Sequence, residues 1–388
     1  MYLNQYGLGT YYNNNVNPWE YYSATSNDFI NSGVGLSIKA TTASDLTFTG
    51  SLITTNSFIG INTGTTNTGT TDGFNLIGNP YTAYVNSTDF LSQADNANAI
   101  SQQTIWLWDG TSYTVANLIN PIEIAPGQGF FVEDDATVGG LFGFYATNRS
   151  HQSTNTFLRQ EVAPNFELTI NNGTKETATK VFYADAKTTG FDNGYDSKMF
   201  GGTTYDLAVY TQLVTDNQGD NLAIQTLPTE SLTSTIIPVG IIAKANEEIT
   251  FSAESVNLPK GTNVYLEDTV NGEFVNLSET NYKTTLTEDA DTIGQFYIHT
   301  SAKSLSTDAV TDLHTVSIYQ SSNNQVTITG LNEDASVNIY SLLGKQVAST
   351  NLTANGVNTI NLASVATGVY IVKLATQTAE ITKKITIK

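Results

Sequence analysis

The chain has 388 residues and a formal net charge of −20, with 36 Asp plus Glu against 16 Lys plus Arg. So acidic a composition argues against a nucleic-acid binder, which needs cations to displace phosphate counterions, and the absence of cysteine rules out disulfide frameworks and thiolate metal sites. Charged residues make up only 13% while Thr, Asn, Ser, Gly and Tyr are abundant, so Glu/Lys/Leu/Ala-rich helices are not expected and an all-β fold is.

The length admits two or three domains, each able to bury a core of its own. No run approaches the ~20 consecutive apolar residues of a membrane span. Met1-Tyr-Leu-Asn-Gln has neither the basic start nor the apolar segment of a signal peptide.

Residues 1–160 are predicted to form a β-sandwich module. Strand-like patterns fall at Trp19–Tyr22, Leu46–Thr49 and Ile105–Trp108, and Asp109-Gly110 is a favoured turn pair leading into Ser112–Val115. Phe74-Asn-Leu-Ile-Gly-Asn-Pro-Tyr81 reads as a strand ended at Asn79-Pro80, because proline removes a ladder donor. Ala125–Val132 reads as a turn feeding a buried strand, and Ser87–Gln93 as one short helix capped by Ser87. Tyr2, Tyr6, Tyr11, Tyr12, Trp19, Tyr21 and Tyr22 crowd the first strands; the expectation is that they fill the core and its ends, the alternative being an exposed platform for sugars or a partner.

Residues 161–300 are predicted to form a second sandwich. Its strands are read at Phe166–Ile170, Lys180–Tyr183, Tyr205–Tyr210, Ile236–Gly240, Ile249–Ser252, Val264–Glu267 and Phe296–His299, with a polar loop at Phe191–Lys198. Residues 301–311 (SAKSLSTDAVT) are small and polar and read as a linker.

No chemistry-bearing motif stands out. His151, His299 and His314 lack metal-ligand spacing and read as surface or edge residues. Neither a nucleophile elbow nor a phosphate-binding glycine loop is present. Asp192–Asp196 and Asp216–Asn221 offer oxygen ligands for calcium but lack the EF-hand glutamate, and such Asp/Asn/Gly runs are more often turns. The expectation is therefore no enzyme, no metal and no cofactor.

Residues 312–388 are predicted to form a small Ig-like antiparallel domain of seven strands. Val316–Tyr319, Val326–Thr329, Val337–Tyr340, Asn358–Leu362, Val369–Leu374 and Ile381–Ile387 alternate apolar and polar, with Gly330, Gly344, Gly356 and Gly368 between them. In the last run Ile381, Ile385 and Ile387 share a face with Lys383, which is expected at an edge or in a partner's pocket. This stretch has 5 Lys against 4 acids, whereas residues 1–311 have 11 Lys plus Arg against 32 acids.

The tail resembles the type A C-terminal sorting domain of the type IX secretion system of the Bacteroidetes. Asn338-Ile-Tyr-Ser-Leu-Leu-Gly-Lys-Gln-Val347, Leu362–Leu374 and Thr382-Lys-Lys-Ile-Thr-Ile-Lys388 carry the resemblance, although Tyr319 is not followed by the family's Pro-Asn-Pro. Leu343, Gly344, Val347, Gly368, Tyr370, Lys383, Lys384 and Ile385 are the implied sorting-signal residues, with Gly344 and Gly368 holding turns. "Leu-Ile-Gly-Asn-Pro-Tyr", the Phe191–Lys198 loop and "Ile-Pro-Val-Gly" resemble modules found ahead of that domain in large cargo proteins.

The resemblance implies a secreted or cell-surface protein, an adhesin or stalk, that passes the periplasm and outer membrane. Its implied partners are an outer-membrane shuttle barrel, the translocon and a sortase-like protease cutting near Ser301–Thr311. It also implies a signal sequence upstream of residue 1, so that this chain is the C-terminal part of a longer protein. Two alternatives are the accessory region of an exported hydrolase with an upstream catalytic domain, and a carbohydrate-binding module in residues 1–160.

Overall fold

The computed structural model describes residues 6–13, 17–22, 30–40, 49–62, 73–135, 140–151, 162–302, 316–322, 324–331, 333–341, 345–354, 356–362, 365–376 and 380–387. Strands dominate these residues and the helices are short, so the protein is all-β. The chain divides into two compact units, the first reaching Ala302 apart from a hairpin tip at Thr269–Gly272, the second lying C-terminal to it.

In the first unit, the front part centres on a four-stranded sheet ordered Phe74–Gly78, Gly129–Glu133, Ile105–Trp108, Tyr113–Ala116. Three smaller sheets surround it. Its core holds Ile77, Val85, Ile105, Ile124 and Val132, and Phe90 is set against Phe142 at 4.8 Å and Phe144 at 5.0 Å. The expected helix is present as Ser87–Leu91, but its cap is Asn86, whose side chain accepts from Thr88 N and Asp89 N. Ser87 instead is fully buried and accepts from Ile122 N through its hydroxyl. A second short helix, Ala94–Ala99, has a polar sequence that gives no apolar period to read.

"Leu-Ile-Gly-Asn-Pro-Tyr" is a hydrogen-bonded corner. The strand ends at Gly78, and buried Asn79 donates from Nδ2 to the carbonyls of Ala83, Ile124 and Ala125 at 2.9–3.2 Å. Its Oδ1 accepts from Tyr81 N, and the Tyr81 hydroxyl lies 2.6 Å from the Phe144 carbonyl. Of the N-terminal aromatics, Tyr11 is buried against Trp19 while Tyr12 and Tyr21 are exposed; Tyr2, the Tyr6 side chain and residues 46–48 lie outside the described residues.

The rear part is a single hydrogen-bonded sheet of eleven strands. Strands Glu248–Val256 and Ile293–Ala302 are far apart in its order, yet Phe251 and Phe296 meet at 4.7 Å. Tyr183 and Thr300 likewise join strands from opposite halves through their hydroxyls at 2.9 Å. The sheet therefore folds over on itself and encloses Phe166, Leu168, Val239, Phe251 and Phe296 as a sandwich. Glu176–Ala184 and Leu222–Pro228 pair in parallel, against the otherwise antiparallel pattern. Such a pair needs a long crossover, and residues 185–221 supply it. Ser301 and Ala302, expected in the linker, finish strand Ile293–Ala302, and the linker from 303 on lies outside the described residues.

The front and rear parts share a third apolar cluster, in which Tyr11, Phe74, Trp106 and Phe131 meet Phe182, Phe200 and Ile224. Polar groups seal this seam. Trp106 Nε1 donates to the Lys198 carbonyl at 2.9 Å, Asn117 Nδ2 donates to Tyr195 O and Ser197 Oγ, and Leu118 N donates to Gly194 O. The polar Phe191–Lys198 loop is thus the clasp between the two parts.

Among its described residues the second unit has seven strands in two sheets. Ser317–Ser322, Gln325–Thr329 and Asn358–Asn361 form one; Gln346–Leu352, Ala335–Ser341, Gly368–Ala375 and Glu380–Ile387 form the other. Val326, Ile328, Val337, Ile339, Val372, Leu374 and Ile387 fill the space between them. This is the small Ig-like sandwich that the alternating runs predict.

Candidate functional site

The candidate site is the C-terminal edge of the four-stranded sheet. Glu380–Ile387 pairs antiparallel with Gly368–Ala375 along its whole length, from Gly368 opposite Ile387 to Ala375 opposite Glu380. Among the described strands it is laddered to that one alone and so borders its sheet, while it also lies close to Ser317–Ser322. Because side chains alternate across a strand, one face carries Ile381, Lys383, Ile385 and Ile387 and the other Thr382, Lys384 and Thr386. Burial follows this division: Ile385 and Ile387 are buried, Ile381 and Lys383 half-buried, and Thr382, Lys384 and Thr386 exposed.

Lys383 therefore occupies a core-facing position, directly opposite Val372. Its aliphatic stem can lie along apolar surface while the ammonium stays at the rim. An inward-pointing charge on an edge strand also discourages indiscriminate pairing with other sheets. Lys384 stands opposite Ile371 on the solvent face and presents its charge outward.

Tyr370 is held at the start of its strand. It is 6% exposed and faces Ile385 across the strand pair, and its hydroxyl donates to the Ala366 carbonyl at 2.7 Å. A tyrosine near a strand start bonded back to upstream backbone is the tyrosine corner of Ig-like sandwiches. The signal for it was the Gly-x-Tyr spacing, but Ala366 as its partner could not be read from the sequence. Gly368 is the first residue of the strand and lies outside the left-handed region, and an added Cβ would approach only the Ala366 carbonyl, at 4.0 Å. It marks a strand start rather than a turn that only glycine can make.

Val347 is half-buried against the same core in strand Gln346–Leu352. Leu343 and Gly344 lie outside the described residues. The structure thus brings Gly368, Tyr370, Lys383, Lys384 and Ile385 together on two adjacent strands and places Val347 across the sheet from them.

The other chemical candidates are hydrogen-bonded within the fold. Asp196 is fully buried and accepts from Thr226 N and Asp192 N, both at 2.6 Å; burial pushes its carboxyl up to about 7, against those two donors. In the loop Asp216–Asn221, Gly219 N donates to Asn217 Oδ1, and Asn221 accepts from Gln212. Among the described residues, no group of three or more His, Asp or Glu could hold a metal ion. His299 sits in mid-strand, its Nε2 2.8 Å from Glu267 Oε2; His151 is exposed, and His314 lies outside the described residues.

Comparison with known proteins places this geometry. Residues 294–388 match the secretion system C-terminal sorting domain family, and residues 109–299 match a family described as a domain of unknown function (DUF8693). The second match spans the seam, from the Asp109 turn through the clasp loop to His299. No curated protein matches the chain. Among solved structures, a biofilm-associated protein (BSP domain) aligns over 79% of this chain at 10% identity and a TM-score of 0.21. The chain spans 59% of the length of that structure. No helix among the described residues is long and apolar enough to cross a membrane. Its C-terminal sorting domain makes this chain a cargo protein of the type IX secretion system, destined for secretion or the cell surface.

Proposed function

We propose that the chain is a non-catalytic stalk of an adhesin-like surface protein, and that its export depends on recognition of the Glu380–Ile387 edge by the shuttle barrel and translocon. The observation that carries this reading is the terminal strand itself. One side is fully paired with Gly368–Ala375, and the other borders the sheet, with Lys384 on the strand's solvent face and half-buried Lys383 on its core face. A partner could add a strand to that border, taking affinity from backbone pairing and specificity from the two lysines. The shared apolar seam of the first unit suits a stalk, because it ties the front and rear parts into one body. A sortase-like protease then cuts in the linker that follows Ala302.

The test is export of the full chain carrying Lys383→Glu and Lys384→Glu in a type IX-competent host. Accumulation in the periplasm with the first unit still folded is the expected outcome. Export at the unmodified yield contradicts recognition through this edge. Deleting Lys383–Lys388 is a poorer test, because it also removes the buried Ile385 and Ile387 from the core.

A further inference from the structure

A groove of about 290 Å³ runs along the seam, between the hairpin Ile105–Ala116 and the outer face of the rear sheet. Its hairpin wall includes Tyr113 and Thr114, and its sheet floor includes Glu167, Thr169, Thr177 and Lys180. Trp108 lies just outside it, beside Tyr113 of its wall. Trp106 and Trp108 project to one face of their strand, and Trp106 points into the seam, bonded to Lys198 O. Trp108 is the next residue along that row, paired with Tyr113 in register, with ring centroids 5.1 Å apart. It is 54% exposed, a large apolar surface left beside a polar groove.

We propose that this groove binds a neutral saccharide, with one sugar ring lying on the exposed indole of Trp108 beside Tyr113. The chemistry of the walls selects this class. An indole offers a flat apolar face to the C–H side of a sugar ring, while the floor alternates acceptors and donors as hydroxyl pairs require. Glu167 accepts, Lys180 donates, and their mutual contact at 3.1 Å leaves both 36–40% exposed. Thr169, on the same outer face of the sheet, can do either. The volume suits one or two sugar rings and sits at the small end of ligand pockets, which run from about 300 Å³ upward. An anionic glycan is disfavoured by the net charge of −20. Because both parts of the first unit line the groove, the site is not confined to residues 1–160.

The test is titration of the full chain with neutral oligosaccharides derived from cellulose, xylan, mannan and chitin, followed by tryptophan fluorescence and acrylamide quenching. Trp106 is fully buried and Trp19 half-buried, so loss of the signal in Trp108→Ala is what assigns it to Trp108. At least one sugar should shift the emission and reduce quenching. Trp108→Ala should weaken its binding at least tenfold, and Glu167→Gln should weaken it without changing the melting temperature. A flat titration across the panel overturns the proposal, as does binding that Trp108→Ala leaves unchanged.

Discussion

The hydroxyl of Tyr370 reaches back 2.7 Å to the carbonyl of Ala366, pinning the start of the strand against which the terminal strand is laid. Removing that bond with Tyr370→Phe keeps the ring in the core, so the loss is one hydrogen bond, about 1 kcal/mol. Denaturant unfolding of the second unit should show this decrease while the first unit's transition stays in place. Gly368→Ala, two residues earlier, should be within about 0.5 kcal/mol of the parent, because a Cβ there meets no close neighbour.

The terminal strand should show opposite sensitivities on its two faces. Ile385→Ala removes a buried side chain and should destabilise the second unit by about 2–5 kcal/mol. Thr386→Ala, its exposed neighbour, should change stability by less than about 0.5 kcal/mol. Comparable losses at both positions would mean that the strand does not alternate as described.

Gly240 of the "Ile-Pro-Val-Gly" motif pairs with Tyr210, whose ring would lie 2.3 Å from an added Cβ. The glycine is therefore fixed by close approach of the Tyr210 ring. Gly240→Ala should destabilise the first unit by about 1–3 kcal/mol, the usual penalty of overpacking. Tyr210→Leu in the same chain should recover part of that loss, and equilibrium unfolding of the pair of variants measures it.

Asp134 is 4% exposed, and neither carboxylate oxygen has a hydrogen-bond partner among the described residues. Burial, with a smaller contribution from the Asp135 charge, pushes its carboxyl up to about 6. A raised carboxyl favours the protonated folded state, so its penalty develops as pH rises from the ordinary value of 3.8 through about 6. Asp134→Asn should be more stable than the parent at pH 8, with the difference shrinking toward pH 4. Unfolding curves at the two pH values check the sign, and a difference that grows toward pH 4 is incompatible with it.

The sequence made alternating strands with clean punctuation legible. Six runs of the second unit are readable because apolar and polar residues alternate in the sequence itself, as Val337, Asn338 and Ile339 do. The seventh, Gln346–Leu352, is not, because only Leu352 is fully buried and its pattern has no period of two. Leu222–Pro228 escaped for the opposite reason: it lies inside the sheet, and five consecutive side chains are buried. The seam was illegible because its contacts, such as Thr104 with Ser197 at 2.8 Å, join residues 93 positions apart. At the candidate site, Lys383 on the apolar face was visible in the pattern, whereas the partner of Tyr370 required the fold.

The C-terminal stretch should direct export by itself. Residues 300–388 placed behind a signal peptide and a fluorescent reporter, in a host with an active type IX system, test it directly. The reporter should reach the cell surface or the medium, and it should not do so in a strain lacking the translocon. A reporter that remains in the periplasm of the competent host contradicts the account.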